Sequence, residues 1–320
     1  MKFQRLALAL SGAGLLAATA VSGSAVAADP KPSLTVKTAK AKVAEAQQRA
    51  SAKSAVAEPC SSWVGSVDAT GFVKSNDVYP AKPPTAEPSL EFKFVGARAA
   101  GNWYLAFDAA DRLYMYGLFL QGGNLYRHST AIADSGVITP TATKVGSGWT
   151  SFKTIATSNY SIAQPRHAYV YGLNANGSLY RYAQVGTAFK ALGSFPGFKS
   201  FKAMTVISET ATYDTLLMTT TAGALYTVRI PVAATTKPVL KLVRSTGFAA
   251  YEALTANTCG ERGGSLVTGI DHDTDSGVQY AFSKFNGAAT AMTAYGTIPV
   301  VFDGTTTTSF TTHYDQLVGE

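Results

Sequence analysis

The chain has 320 residues, a formal net charge of +7, 15% charged residues and 46% hydrophobic ones. Two of the positive charges (Lys2, Arg5) lie in the first few residues and a net three between Ala28 and Glu58, leaving only +2 on the region from Cys60 onward. The basic balance therefore gives no reason to expect nucleic-acid binding by the globular part, which lacks a phosphate-tracking Lys/Arg stripe.

The first 27 residues read as a signal peptide. Lys2 and Arg5 precede an apolar run from Leu6 to about Val21, and Ala25-Val-Ala27 has the small residues of a cleavage site. An uncleaved anchor is the alternative, but Ser11, Gly12, Gly14 and Thr19 dilute the run, and no later stretch is long and apolar enough to span a bilayer. The expected location is secreted and extracellular.

Residues 28–59 form an Ala/Lys-rich tether with no aromatic residue and six Lys/Arg against three Asp/Glu up to Glu58. Such a composition cannot build a core, so a flexible or partly helical spacer is expected, with a turn or two of helix near Val43-Ala-Glu-Ala-Gln-Gln-Arg-Ala.

Residues 60–320 form the folded domain, organised as a repeat. Gly123-Asn-Leu-Tyr126, Gly177-Ser-Leu-Tyr180, Gly223-Ala-Leu-Tyr226 and Gly277-Val-Gln-Tyr280 each place a glycine three residues before a tyrosine. In the clearest copy an aromatic run, Ala168-Tyr-Val-Tyr-Gly-Leu, precedes turn residues and a second run of β-formers, the pattern of a hairpin. Gly148-Trp149-x-x-Phe152, Gly197-Phe198-x-x-Phe201 and Gly247-Phe248-x-x-Tyr251 keep the same beat at steps of 49 and 50. A unit of about 50 residues holds about four short strands, one propeller blade.

Trp63 to Lys74 repeats the hairpin in phase, with Gly71 in its turn, and the run from Thr307 to Tyr314 is a strand with no hairpin after it. The sequence thus predicts an all-β, five-bladed β-propeller, its hairpins near Gly71, Gly123, Gly177, Gly223 and Gly277. The N-terminal hairpin and the C-terminal strand share a blade and leave no open edge at the closure. The Pro-rich stretch Pro80 to Pro88 is expected in a surface loop of that first blade.

The pairing of Gly148-Trp149-x-x-Phe152-Lys153-x-Ile155 with Gly177-x-Leu179-Tyr180 resembles the repeat of the tachylectin-type β-propeller lectins. The resemblance spans most of Cys60 to Glu320, with both motifs present in the units around residues 147–195 and 196–245. It implies a five-bladed, non-catalytic carbohydrate-binding protein that recognises N-acetylated amino sugars in pockets between blades. Its partners would be glycans, among them amino-sugar polymers of a cell envelope.

Trp149, Phe198 and Phe248 follow turn glycines and are candidate sugar-stacking faces, with packing between blades as the other reading. Asn174 and Asn176 are candidate hydroxyl-binding groups. In Asp271-His-Asp273-Thr-Asp275-Ser-Gly277 alternate carboxylates could converge on calcium, but Ser276 interrupts the usual spacing and an elongated turn is the simpler reading; otherwise no cofactor is expected. Cys60 and Cys259, the two cysteines of a secreted chain, are expected to pair.

Enzyme readings find no support in motifs: Gly-x-Ser-x-Gly, His-Glu-x-x-His and Cys-x-x-Cys are absent, and His128, His167, His272 and His313 are scattered. An extracellular protein-binding scaffold is one alternative. A glycoside hydrolase or lyase, built from Asp/Glu pairs that meet only in three dimensions, is the other.

Overall fold

A computed structural model describes residues 38–47, 60–135, 137–233, 237–258, 264–313 and 315–320. The predicted signal peptide, residues 1–27, lies outside these residues, as does the predicted tether, residues 28–59, except for residues 38–47. The fold is all-β apart from the helix α1 (residues 38–47).

Three sheets are four-stranded antiparallel meanders. They consist of β9 (Phe152–Tyr160) to β12 (Ala188–Phe195), with β10 (His167–Asn174) and β11 (Leu179–Val185) between; β13 (Phe201–Glu209), β14 (Tyr213–Thr220), β15 (Leu225–Pro231) and β16 (Val239–Arg244); and β17 (Ala253–Thr258), β18 (Ser265–Asp271), β19 (Ser276–Phe282) and β20 (Met292–Thr297). The fourth sheet is nine-stranded and contains two such meanders. One runs β21 (Thr306–Thr312), β1 (Ser62–Val67), β2 (Phe72–Tyr79), β3 (Thr85–Lys93); the other runs β5 (Trp103–Phe107), β6 (Leu113–Gln121), β7 (Asn124–Ile132), β8 (Ile138–Ser147), with the short β4 (Ala99–Ala100) against β6. They are joined by parallel pairing of β21 with β5 at Phe310↔Trp103. The C-terminal strand therefore pairs antiparallel with the N-terminal hairpin, Val64 opposite Ser309.

The turns fall where the glycines predict them. In the third and fourth copies Gly177 and Gly223 take φ of +86°, which a side chain resists. The Pro-rich stretch is part loop and part edge: β3 carries Pro88, and as the outermost strand it has no partner beyond it to require the missing N–H.

Five apolar clusters lie between neighbouring meanders. One joins Trp63, Phe92 and Phe310 to Trp103 and Phe119; a second joins Leu120 and Leu125 to Trp149 and Val170. A third joins Tyr171 and Leu179 to Val206 and Met218, a fourth Leu217 and Val243 to Tyr251 and Val267, and a fifth Val64 and Val78 to Ile270 and Phe302. Each sheet is too small to bury both faces alone, so the interfaces between sheets are the core.

Helix α1 packs on the first cluster through Ala39 and Val43, and Ala46 is buried as well, each at most 1% exposed. This i, i+4, i+7 stripe is narrow and made of small residues, which is why composition alone reads the segment as a spacer.

Candidate functional site

The aromatic residues singled out in the sequence sit at the joints between meanders. The backbone N–H groups of Trp149, Phe198 and Phe248 donate to the carbonyls of Gly123, Gly177 and Gly223 at 2.9, 2.8 and 3.1 Å. The same bond recurs from Phe94 to Gly71 and from Ile298 to Gly277. The three rings are 4, 3 and 2% exposed. Trp149 lies against Phe152 and Tyr182, Phe198 against Phe201, and Phe248 against Tyr280. The three rings are thus buried against other rings of the protein.

Asn174 is buried: its side chain donates to Ser151 Oγ and accepts from the Asn176 N–H. Asn176 is exposed; its Oδ1 accepts from the Ser178 N–H and its Nδ2 donates to the Tyr180 hydroxyl. Asp271 accepts from the N–H groups of Asp273 and Thr274, and Asp275 has φ of +52°. Asp271, Asp273 and Asp275 lie in this hydrogen-bonded turn, and among the described residues no group of three His, Cys, Asp or Glu side chains is gathered as a metal-ligand set.

The predicted pairing of Cys60 falls on Cys259, which lies outside the described residues, and no free cysteine occurs among those described. His128, read as a blade residue, is fully buried between Phe94 and Trp103, and burial pushes its pKa down to about 3.

At the other end of the strands, opposite the glycine turns, polar and aromatic side chains from several sheets come together. Asp214, at the start of β14, is completely buried and accepts three bonds: from Ser158 Oγ at 2.6 Å, the Tyr171 hydroxyl at 2.7 Å and His167 Nε2 at 2.9 Å. Glu209, its Cα partner at the end of β13, accepts from the Asn159 N–H at 2.9 Å. Burial first, and then the neighbouring Asp214 charge, push the Glu209 carboxyl up to about 8. Asn159 Nδ2 lies 3.4 Å from His313 Nδ1, which is 2.6 Å from the Tyr116 hydroxyl. Burial and the Arg166 charge hold the His313 imidazole below its usual range.

Two aromatic ladders flank these groups. Tyr104, Tyr116 and Tyr114 stack in sequence at 5.6 Å each, with interplanar angles of 24° and 28°. Tyr160, His167 and Tyr169 stack at 5.6 and 4.6 Å. Tyr114, Tyr116, Tyr160, Asn159 and His313 are partly exposed, whereas the His167 side chain is only 4% exposed, so this end presents aromatic surface interleaved with amide, imidazole and hydroxyl groups. Such a surface can take an amphipathic small molecule by stacking one face and bonding its polar rim. The carboxylates contribute differently: Asp214 is enclosed and saturated by donors, whereas Glu209 is a neutral acid at pH 7.

Motif reading missed this site, because it has no motif. Its residues sit at strand ends and meet only through the sheets; the one local signal is Glu209-Thr-Ala-Thr-Tyr-Asp214, two acids flanking a tight turn.

No protein-family model and no curated protein matches the chain. Solved structures similar to it include the catalytic domain of a Coprinopsis cinerea GH62 alpha-L-arabinofuranosidase, at 13% identity and TM-score 0.43, covering 62% of this chain and 68% of that one. A Burkholderia pseudomallei lectin is similar at 13% identity and TM-score 0.42, covering 77% and 82%. The Aleuria aurantia lectin in complex with Fucalpha1-6GlcNAc is similar at 11% identity and TM-score 0.41, covering 75% and 79%. These scores are too low to carry any property of those proteins over to this one.

Proposed function

We propose that the protein is a secreted, non-catalytic carbohydrate-binding protein whose folded region is a closed five-bladed propeller with about four strands per blade. The five interface clusters and the five recurrent N–H to glycine-carbonyl bonds support that count. So does a narrow cavity of about 10 Å³, lined by Asn102, Ile155, Thr205, Thr255 and Thr308, one from each meander. N-acetylated amino sugars are the preferred ligand class on the strength of the tachylectin-type resemblance.

The observation that carries the binding reading is the partly exposed stack of Tyr114 and Tyr116 beside Asn159 and His313. Pyranose rings have one apolar face and a rim of hydroxyls, and this surface offers the complement of both. Binding is favoured over catalysis because Asp214 has its donors supplied by the protein and is out of solvent's reach. A glycan-array screen of the disulfide-intact protein, with free N-acetylglucosamine or fucose as competitor, tests the reading. Competed binding that falls at least tenfold in Tyr114→Ala supports it; retention of no glycan sinks it and favours a protein-binding scaffold.

A hydrolase is the second reading, favoured by one feature: a proton-bearing Glu209 next to Asp214 is the asymmetry an acid-assisted glycoside cleavage needs. Release of reducing ends from bound glycans, abolished in Glu209→Gln, would establish it.

A further inference from the structure

Helix α1 brings a cation against a carboxylate and an indole held on the β-structure. Asp77, on β2, has a side chain 5% exposed and bonds Lys42 Nζ, whose side chain is 25% exposed. The same ammonium lies 4.9 Å from the centroid of the Trp63 ring. Trp63 is held from the other side by stacking on Phe310 at 5.5 Å, and its Nε1 donates to Ser75 Oγ. The indole and the carboxylate are thus carried on β1 and β2, and the indole is backed by Phe310 of β21.

Burial pushes the Asp77 carboxyl up and the Lys42 charge pulls it down, while Glu87 adds a repulsive charge from the β3 side. The Lys42 charge offsets part of the cost of burying this carboxylate, so an ammonium is the favoured occupant of the groove. A cation over an indole adds attraction that no neutral donor matches.

The helix that supplies this cation is a weak structure by itself. Ten residues are too few for stable helix in water, and its buried apolar contacts are Ala39, Val43 and Ala46. Lys40 makes a second pair with Asp134 at the rim, where Asp134 is 81% exposed. Docking and helix formation are therefore coupled, and the occupant is replaceable by a segment of equal chemistry.

We propose that Asp77 and Trp63 form a recognition site for a primary ammonium carried on a short amphipathic helix. It is filled in cis by Lys42 and open to a lysine-bearing segment of a partner polypeptide when residues 38–47 are displaced. The site uses none of the side chains Glu209, Asp214 and His313 of the polar end, and its existence does not depend on carbohydrate binding.

The test uses the full chain and a fluorescein-labelled peptide with the sequence of residues 38–47. In the Lys42→Glu chain the resident helix is repelled by Asp77. That chain should take up the peptide at least tenfold more tightly than the wild type, and its β2 amides should exchange faster without peptide and recover with it. Lys42→Glu combined with Asp77→Asn should lose the uptake, and a peptide carrying alanine in place of its Lys42-equivalent should not bind. Faster exchange in Lys42→Glu with no peptide uptake overturns the recognition site. Unchanged exchange overturns the latch. Displacement of the peptide by free glucosamine at millimolar concentration, without peptide dependence on its own lysine, overturns the helix preference and leaves a small-amine pocket.

Discussion

Glu209 and Asp214 face each other as Cα partners across the β13–β14 ladder, one 3% and the other 0% exposed, yet their carboxyls are treated oppositely. Asp214 has three donors aimed at it; Glu209 has the Asn159 N–H and the Tyr104 hydroxyl and feels the neighbouring charge. With a folded pKa of about 8 against an ordinary 4.5, the native state holds a proton that the unfolded chain has released across that window. The stabilising contribution is therefore complete below about pH 4.5 and is lost as the pH rises through 8. The expected result is a melting temperature that falls between pH 6 and 9. In Glu209→Gln, which keeps an acceptor for the Asn159 N–H, that fall should flatten, and an unchanged alkaline slope would refute the protonated assignment.

His128 sets the acid limb by the opposite sign. Burial between Phe94, Trp103 and Phe119 lowers its pKa from 6.5 to about 3, so below pH 6.5 the unfolded chain binds a proton that the native state refuses. Stability should decline as pH drops from 6.5 toward 3. His128→Phe, which fills the apolar site without a titrating group, should lose part of that decline in urea titrations at pH 4 and 7.

Gly177 and Gly223 are required twice over, by conformation and by space. Both have φ of +86°, and a methyl group on them would come within 2.8 Å of Lys199 Cβ and of the Ala249 backbone nitrogen. Gly186 also has positive φ, +61°, but nothing lies within 4 Å of its methyl position. Alanine at 177 or 223 should cost about 2–4 kcal/mol, the sum of left-handed strain and overpacking. At 186 it should cost only the strain, about 1–2 kcal/mol. Chemical denaturation of the three variants measures the difference; equal losses would mean that the close crossing is not what selects glycine.

The framework was legible because it repeats. Turns that demand glycine at 71, 177 and 223, and close approaches that leave no room for a side chain at 123 and 277, put the same letter at each hairpin, and the β21–β1 pairing follows from an unpartnered run at each end. Trp149 was visible for the same reason, but the sequence could not say which way its ring faces; the answer, 4% exposure against Phe152 and Tyr182, lies in neighbouring strands. The site around Glu209 left almost no local trace. Tyr116, Asn159, Glu209 and His313 come from four separate stretches and are brought within bonding reach only by the packing of β6, β9, β13 and the segment after β21. Helix α1 was obscured by its small residues: alanine serves in a spacer as well as in a narrow docking stripe.

The sequence predicts a Cys60–Cys259 bridge, and Cys259 itself lies outside the described residues. The Trp63 N–H donates to Asn257 Oδ1 at 3.3 Å, and Asn257 Nδ2 donates to the Phe310 carbonyl at 2.9 Å, which places the chain just after Cys60 beside the chain just before Cys259. A bridge there would tie the entry of the folded region to the end of β17 and restrict the unfolded chain over a very long loop, a contribution of about 4–5 kcal/mol. Intact-mass analysis should find the protein two mass units below the fully reduced form. Cys60→Ser, Cys259→Ser and the double variant should then lose the same stability, because removing either sulfur removes the one cross-link. Losses that add in the double variant, or a reduced wild type that melts at the same temperature as the oxidised one, would show two independent thiols instead.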